Sequence, residues 1–170
     1  MPAGRGTSDN VGAGGVDDGG HGGVAVAGEV RRQDYRWWLD IPSRWADCDA
    51  YGHVNSPVYY SWFDTALTTM LIERRVLRAA DAPSIGLCVE SQCRFLAPVE
   101  FPETIRVGLY IGRVSDKSLR YELALFRRDT AECVATGWFV HVFVDPATRR
   151  PVPLTVRQKA AVADLVGAAG

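Results

Sequence analysis

Seven apolar residues, Tyr59, Trp62, Phe63, Ala66, Leu67, Met70 and Leu71, recur at three- and four-residue spacings. That periodicity places them on one side of an α-helix, as an apolar face too broad to leave in water. Ser56-Pro57 marks the start. Serine suits a cap position, and proline is favoured in the first turn because its missing N–H costs nothing there. Arg74, Arg75 and Arg78 suit the negative pole of the helix, and Asp81-Ala82-Pro83 closes it. Only a modest second helix, over 155–166, is predicted. The long apolar face must therefore be covered by something other than a helix.

Strands supply the cover. Tyr35, Trp37, Leu39 and Ile41 alternate with polar or outward residues, and this strand runs toward Asp49 before a turn at Ala50-Tyr51-Gly52. After the helix come strands over ~85–97, ~104–112, ~117–127 and ~133–144 by the same test of alternation. Ile105, Val107, Leu109 and Ile111 share one face of the second; Leu119, Tyr121, Leu123 and Leu125 share one face of the third. In the last, Thr136, Trp138, Val140, Val142 and Val144 face one way and Phe139 and Phe143 the other. Being apolar on both faces marks a central strand. Val114-Ser115-Asp116 and Arg128-Asp129-Thr130 are short polar links that imply antiparallel hairpins. The order β-α-β-β-β-β defines an α+β domain in which one sheet wraps one helix.

Composition narrows the class of function. A net charge of -1 over 170 residues, with no aromatic-plus-basic stripe, excludes a nucleic-acid binder. No apolar run is long enough to span a bilayer, and no signal-peptide core follows the N-terminus, so no membrane role is expected. Cys48, Cys88, Cys93 and Cys133 form no C-x-x-C pair and no zinc spacing with His21, His53 or His141. They read as reduced thiols packed in strands of a cytoplasmic protein that needs no metal or cofactor. Residues 1–28 hold ten of the 17 glycines and no apolar periodicity, so they are predicted to stay disordered; the folded domain is expected over 35–166.

The chemistry concentrates in Arg44 to Tyr60, RWADCDAYGHVNSPVYY. Asp47 and Asp49 leave a strand and enter a glycine turn just ahead of a helix N-terminus. That terminus presents unpaired N–H groups and a positive dipole end, able to stabilise the oxyanion of an attacked thioester carbonyl. A carboxylate just upstream faces the same carbon from another side.

The run D-C-D-A-Y-G-H-V-N, followed by a helix carrying Tyr59, Trp62, Phe63 and Asp64, resembles the signature of 4-hydroxybenzoyl-CoA-thioesterase-like hotdog proteins. The resemblance covers residues ~35–145 and implies a five-stranded antiparallel sheet around a central helix. It implies that Asp49 is the catalytic carboxylate, as nucleophile or general base, and that the Ser56 backbone N–H polarises the carbonyl. Asp64 is a second candidate, because one related branch uses a helix acid. Substrate contacts are expected from His53, Asn55, Tyr59, Tyr60 and Phe63. Arg94 is a further substrate-contact candidate, and coenzyme A phosphates are expected near Lys117 and Ser118. An acyl-CoA or acyl-carrier-protein substrate and a homodimer or homotetramer are implied too. Two rivals stand beside this: a non-catalytic acyl-thioester-binding protein, and an enoyl-thioester hydratase using His53 with Asp49. His141, set in an apolar strand, reads as a satisfied core histidine, and Asp47 as a turn-stabilising or surface acid.

Overall fold

Strand β1 (Trp37–Pro42) leads into helix α1 (Ser56–Glu73), and β2 (Ile85–Phe95), β3 (Thr104–Val114), β4 (Ser118–Arg127) and β5 (Cys133–Val144) follow, with a short α2 (Val156–Ala161) after them. These elements come from a computed structural model that describes residues 30–77 and 84–167. The glycine-rich tail with His21, and the helix-closing Arg78 and Asp81-Ala82-Pro83, lie outside the described residues.

The strands form one sheet in the order β1-β3-β4-β5-β2, antiparallel throughout. β3, β4 and β5 are consecutive hairpin neighbours, whereas β2 pairs with β5 at the far edge. This is the expected hotdog arrangement. The seven helix residues singled out by periodicity are the ones α1 buries. Ile105, Val107, Leu109 and Ile111 of β3, and Leu119, Tyr121, Leu123 and Leu125 of β4, bury the face that meets them.

Some boundaries differ from expectation. The first strand stops at Pro42, and Trp45–Asp47 forms a 3-10 turn instead of a continuing strand. Tyr35 is not a strand residue; it packs edge-on against Trp38, Tyr110 and Phe126 on the outer face of the sheet. α1 ends at Glu73 because Arg75 turns left-handed at φ 56°. Arg74 spends its guanidinium on Asp164, at 2.8 and 3.0 Å, and so ties down the C-terminal segment. β5 lies between β4 and β2, a central strand as expected, yet Trp138, Val140 and Val142 on its outer face are only half-buried. The predicted 155–166 helix is the six-residue α2 plus a 3-10 turn at Ala163–Leu165. Cys88 is exposed on β2 instead of packed. Burial pushes the thiols of Cys93 and Cys133 up to about 11, so both are neutral at physiological pH.

His141 is buried but not satisfied. Among the described residues its Nδ1 has no hydrogen-bond partner, and neither has the hydroxyl of Tyr121, whose ring stands edge-on 5.2 Å away. Burial holds the imidazole pKa below its ordinary value, against the opposing pull of the Asp64 charge. A histidine whose folded pKa is lowered binds its proton more readily in the unfolded chain. Its contribution to stability is complete above the unfolded pKa and is lost as pH falls toward the folded one. The urea midpoint is therefore expected to drop between pH 7.5 and 5.5, and to drop less in His141→Leu. Equal drops in the two proteins would contradict this assignment.

Candidate active site

A buried acid fixes the start of the site. Asp47 is 2% exposed, and its Oδ2 accepts the Arg44 N–H at 2.7 Å while Oδ1 accepts the Arg44 guanidinium at 2.6 Å. The guanidinium holds its carboxyl below the usual carboxylate range. The Asp47 carbonyl in turn accepts the Asn55 N–H at 2.9 Å, tying the turn to the helix start. A turn-stabilising role was expected for Asp47; burial was not, and a surface role is ruled out.

Asp49 sits two residues further, on a loop closed by the Cys48–Val54 bridge. Its Oδ1 accepts the backbone N–H of Tyr51 at 2.8 Å and that of His53 at 3.3 Å. Its own N–H donates to the His53 carbonyl at 2.8 Å, and Gly52 N–H returns to the Asp49 carbonyl at 3.1 Å. Gly52 takes φ 84°, which a side chain would resist. One carboxylate oxygen thus locks the turn, while the other has no hydrogen bond among the described residues. Asp49 is exposed.

The helix begins immediately after. Asn55 holds the N-cap position but makes no side-chain cap bond, and Pro57 brings no N–H. Val58 N–H is taken by the Asn55 carbonyl at 2.9 Å. Among the described residues the Ser56 N–H has no backbone partner, as expected of a donor at a helix start. Ser56 lines a cleft of about 300 Å³ whose walls also include His53, Tyr59, Phe95, Leu96 and Pro98. Tyr59 is buried, its hydroxyl donating to the Ala97 carbonyl at 3.4 Å and its ring meeting Phe95 edge-on at 5.0 Å.

Other candidates are placed elsewhere. Tyr60 is half-exposed and faces Phe139 at 6.2 Å. Phe63 has no exposed surface and packs on Phe139, so it is a core residue rather than a wall open to a ligand. Asp64 is exposed and acts on His141, a pairing absent from the sequence reading. Arg94 lies on β2 opposite Thr136. Lys117 and Ser118 lie at the β3–β4 turn, level with Val142. Phe95, beside the cleft, pairs with Ala135. Seven residues of strand separate those levels, ~23 Å. Within one chain, Lys117 and Ser118 are therefore remote from Asp49. Glu100 was also missed: a bridge sets it opposite His53, with carboxylate and imidazole 3.7 Å apart. Nothing in the local pattern around Glu100 signals that partnership. Among the described residues no His, Cys, Asp and Glu cluster is arranged to hold a metal ion. Nor is any described helix long and apolar enough to cross a membrane.

A single helix wrapped by a five-stranded antiparallel sheet, with a carboxylate loop feeding the helix start, defines the hotdog class of domain. The chain belongs to the thioesterase-like superfamily, whose family profile matches residues 43–162. It is similar to the crystal structure of PA5185 from Pseudomonas aeruginosa strain PAO1, with 45% identity over 82% of this chain and 97% of that chain and a TM-score of 0.77. PA2801 of Pseudomonas aeruginosa shares 31% identity over 74% of this chain and 96% of that one, at a TM-score of 0.68. The fold alone is shared with Slr0204, a 1,4-dihydroxy-2-naphthoyl-CoA thioesterase from Synechocystis, at 20% identity over 75% of this chain and 96% of that one, with a TM-score of 0.67. No curated protein matches the chain.

Proposed function

We propose that the protein hydrolyses an acyl-CoA thioester, with Asp49 as nucleophile or as general base on water and the Ser56 N–H as oxyanion donor. The observation that carries this reading is the division of labour at Asp49. Backbone N–H groups of Tyr51 and His53 hold one oxygen, which fixes the carboxylate while its other oxygen has no hydrogen bond among the described residues, on the loop that leads into the helix start at Ser56. A turn-capping aspartate alone needs no such neighbour. In the general-base route Asp49 takes a proton from water as the water adds to the thioester carbonyl, and the C–S bond then breaks to give free acid and a thiolate that takes up that proton. In the nucleophilic route the Asp49 carboxylate itself displaces the thiolate to form a mixed anhydride, which water then hydrolyses to free acid and the regenerated carboxylate. The hydratase alternative gains nothing from the Asp64–His141 pair, since His141 is only 8% exposed and its imidazole cannot meet a substrate.

The open edge of the sheet supports a homodimer. β2 exposes Leu87, Val89 and a backbone edge that no described strand pairs with, which is an open template for another strand. Antiparallel pairing of β2 with its copy would bring the partner's β3–β4 turn to the Asp49 end of the sheet. Lys117 and Ser118 would then serve the neighbouring site, which answers their remoteness within one chain.

Thiol release from a panel of aliphatic and aromatic acyl-CoAs is the direct test, alongside the molar mass in solution. Turnover by a dimer is expected, with Val89→Lys giving monomers of reduced activity. Tight acyl-CoA binding without turnover across the panel would replace the enzyme with a binding protein.

A further inference from the structure

We propose that Trp45 and Phe101 form a stacking seat for a neutral, planar heteroaromatic group, the adenine base at the far end of a coenzyme A thioester; this rests on the function proposed above. Trp45 is 79% exposed, yet it does not belong to a loose loop. It opens the 3-10 turn Trp45–Asp47, which buried Asp47 clamps through Arg44 on one side and through Asn55 on the other. Its carbonyl accepts the Cys48 N–H at 3.3 Å. The indole is held out in water by a rigid support, an arrangement that costs apolar exposure unless something covers it.

Phe101 is 41% exposed and meets the indole edge-on, with ring centroids 6.0 Å apart and planes at 83°. Its segment is braced to the same support. Buried Ser43 donates its N–H to the Glu103 carbonyl at 2.7 Å, and the Ser43 hydroxyl accepts the Glu103 N–H at 2.9 Å. An edge-on neighbour steadies the indole while leaving ring face open for a stacked ligand. Behind Phe101 and Pro102 lies a cleft of about 430 Å³, lined also by Ser43, Thr104, Arg127 and Arg128.

The charges there decide which end of a nucleotide fits. Arg127 is spent on Glu103, Glu132 and the Pro98 carbonyl, and Arg128 lies 3.4 Å from Asp40. Asp129 lines the same cleft. Among the described residues, each guanidinium that lines this cleft has an acid beside it, so a phosphate finds no free cation there and an acidic carrier protein finds no basic surface there. A neutral base needs only ring faces, and base–aromatic stacking supplies its affinity. Two aromatic side chains also fall far short of the ~800 Å² per partner that a stable protein interface buries. The position is continuous with the site: Trp45 precedes Asp49 by four residues, so their Cα atoms lie at most ~14 Å apart.

The test compares an acyl-CoA with the same acyl group on pantetheine, which lacks the nucleotide. Trp45→Ala is expected to raise KM for the acyl-CoA ~10-fold at unchanged kcat and to leave the pantetheine thioester unaffected. Trp45→Phe restores most of the loss. Equal losses on both thioesters, or a change of molar mass in Trp45→Ala, would overturn the seat, the latter by showing that a second copy covers it. Calorimetric titration with adenosine and with inorganic phosphate reads the seat without any turnover. Adenosine binding that weakens in Trp45→Ala, with no phosphate binding, is expected even if the hydrolase reading fails. Phosphate binding that disappears in Arg128→Ala would make the cleft an anion site and reject the proposal.

Discussion

Asp49→Asn is expected to fold like the parent and to lose ~10²–10⁴-fold in turnover, the usual consequence of removing an acid–base group. The substitution is chosen for what it keeps. The asparagine amide oxygen can still accept the N–H groups of Tyr51 and His53, so the loop retains the bonds that shape it. What disappears is the negative charge and the lone pairs of the open oxygen, which both chemical routes need. Asp64→Asn is the paired control. It lies on the exposed side of α1, where its one visible effect is on the buried imidazole of His141. A retained rate in Asp64→Asn beside a collapsed rate in Asp49→Asn assigns the reaction to the loop. The reverse pattern would move it to the helix, and parental rates in both would place the chemistry on neither carboxylate. Unfolding curves of both variants keep the comparison free of stability effects.

Much of this architecture was legible because its pattern is local. The spacing of Tyr59 to Leu71 names the buried face of α1 residue by residue, and strict alternation does the same for β3 and β4. The end of β1 was not legible. The run from Arg44 to Cys48 has nothing that forbids a strand, and it turns because Asp47 captures the N–H of Arg44, a bond whose strength depends on the burial of that carboxylate. The end of α1 was hidden for a similar reason: Arg74 looks like a dipole partner, but it finds Asp164, 90 residues away. Within the site, the loop residues were readable because glycine, aspartate and a helix start stand together in sequence. Its far wall was not. Phe95, Pro98 and Glu100 reach the loop only through the antiparallel bridge of His53 with Glu100 and the bond from Val54 N–H to the Val99 carbonyl. Lys117 and Ser118 stand apart for another reason, since the family resemblance groups them with a site from which they are remote within one chain.

Phe63→Ala is expected to cost ~3–5 kcal/mol of unfolding free energy, a large share of the ~5–15 kcal/mol that holds a domain together. The ring has no exposed surface and sits where α1 comes down on β5, against Phe139 and over Gly137. Gly137 is what permits that approach. A Cβ there would stand 2.8 Å from the Phe63 ring and 2.5 Å from the Gln92 carbonyl oxygen of the neighbouring strand. The ring could tilt away, but the carbonyl belongs to the β2–β5 ladder and moves only with the sheet. Gly137→Ala should therefore destabilise by ~1–3 kcal/mol through overpacking. In the double variant the ring clash is gone while the carbonyl clash stays, so the two costs should sum to more than the double variant loses. Strict additivity in urea unfolding would mean that helix and strand do not meet through this pair. The contact also bears on function, because α1 carries the Ser56 N–H at its first turn. A helix lifted off Gly137 shifts that donor relative to Asp49, so Gly137→Ala is expected to lower kcat at temperatures where the protein is still fully folded.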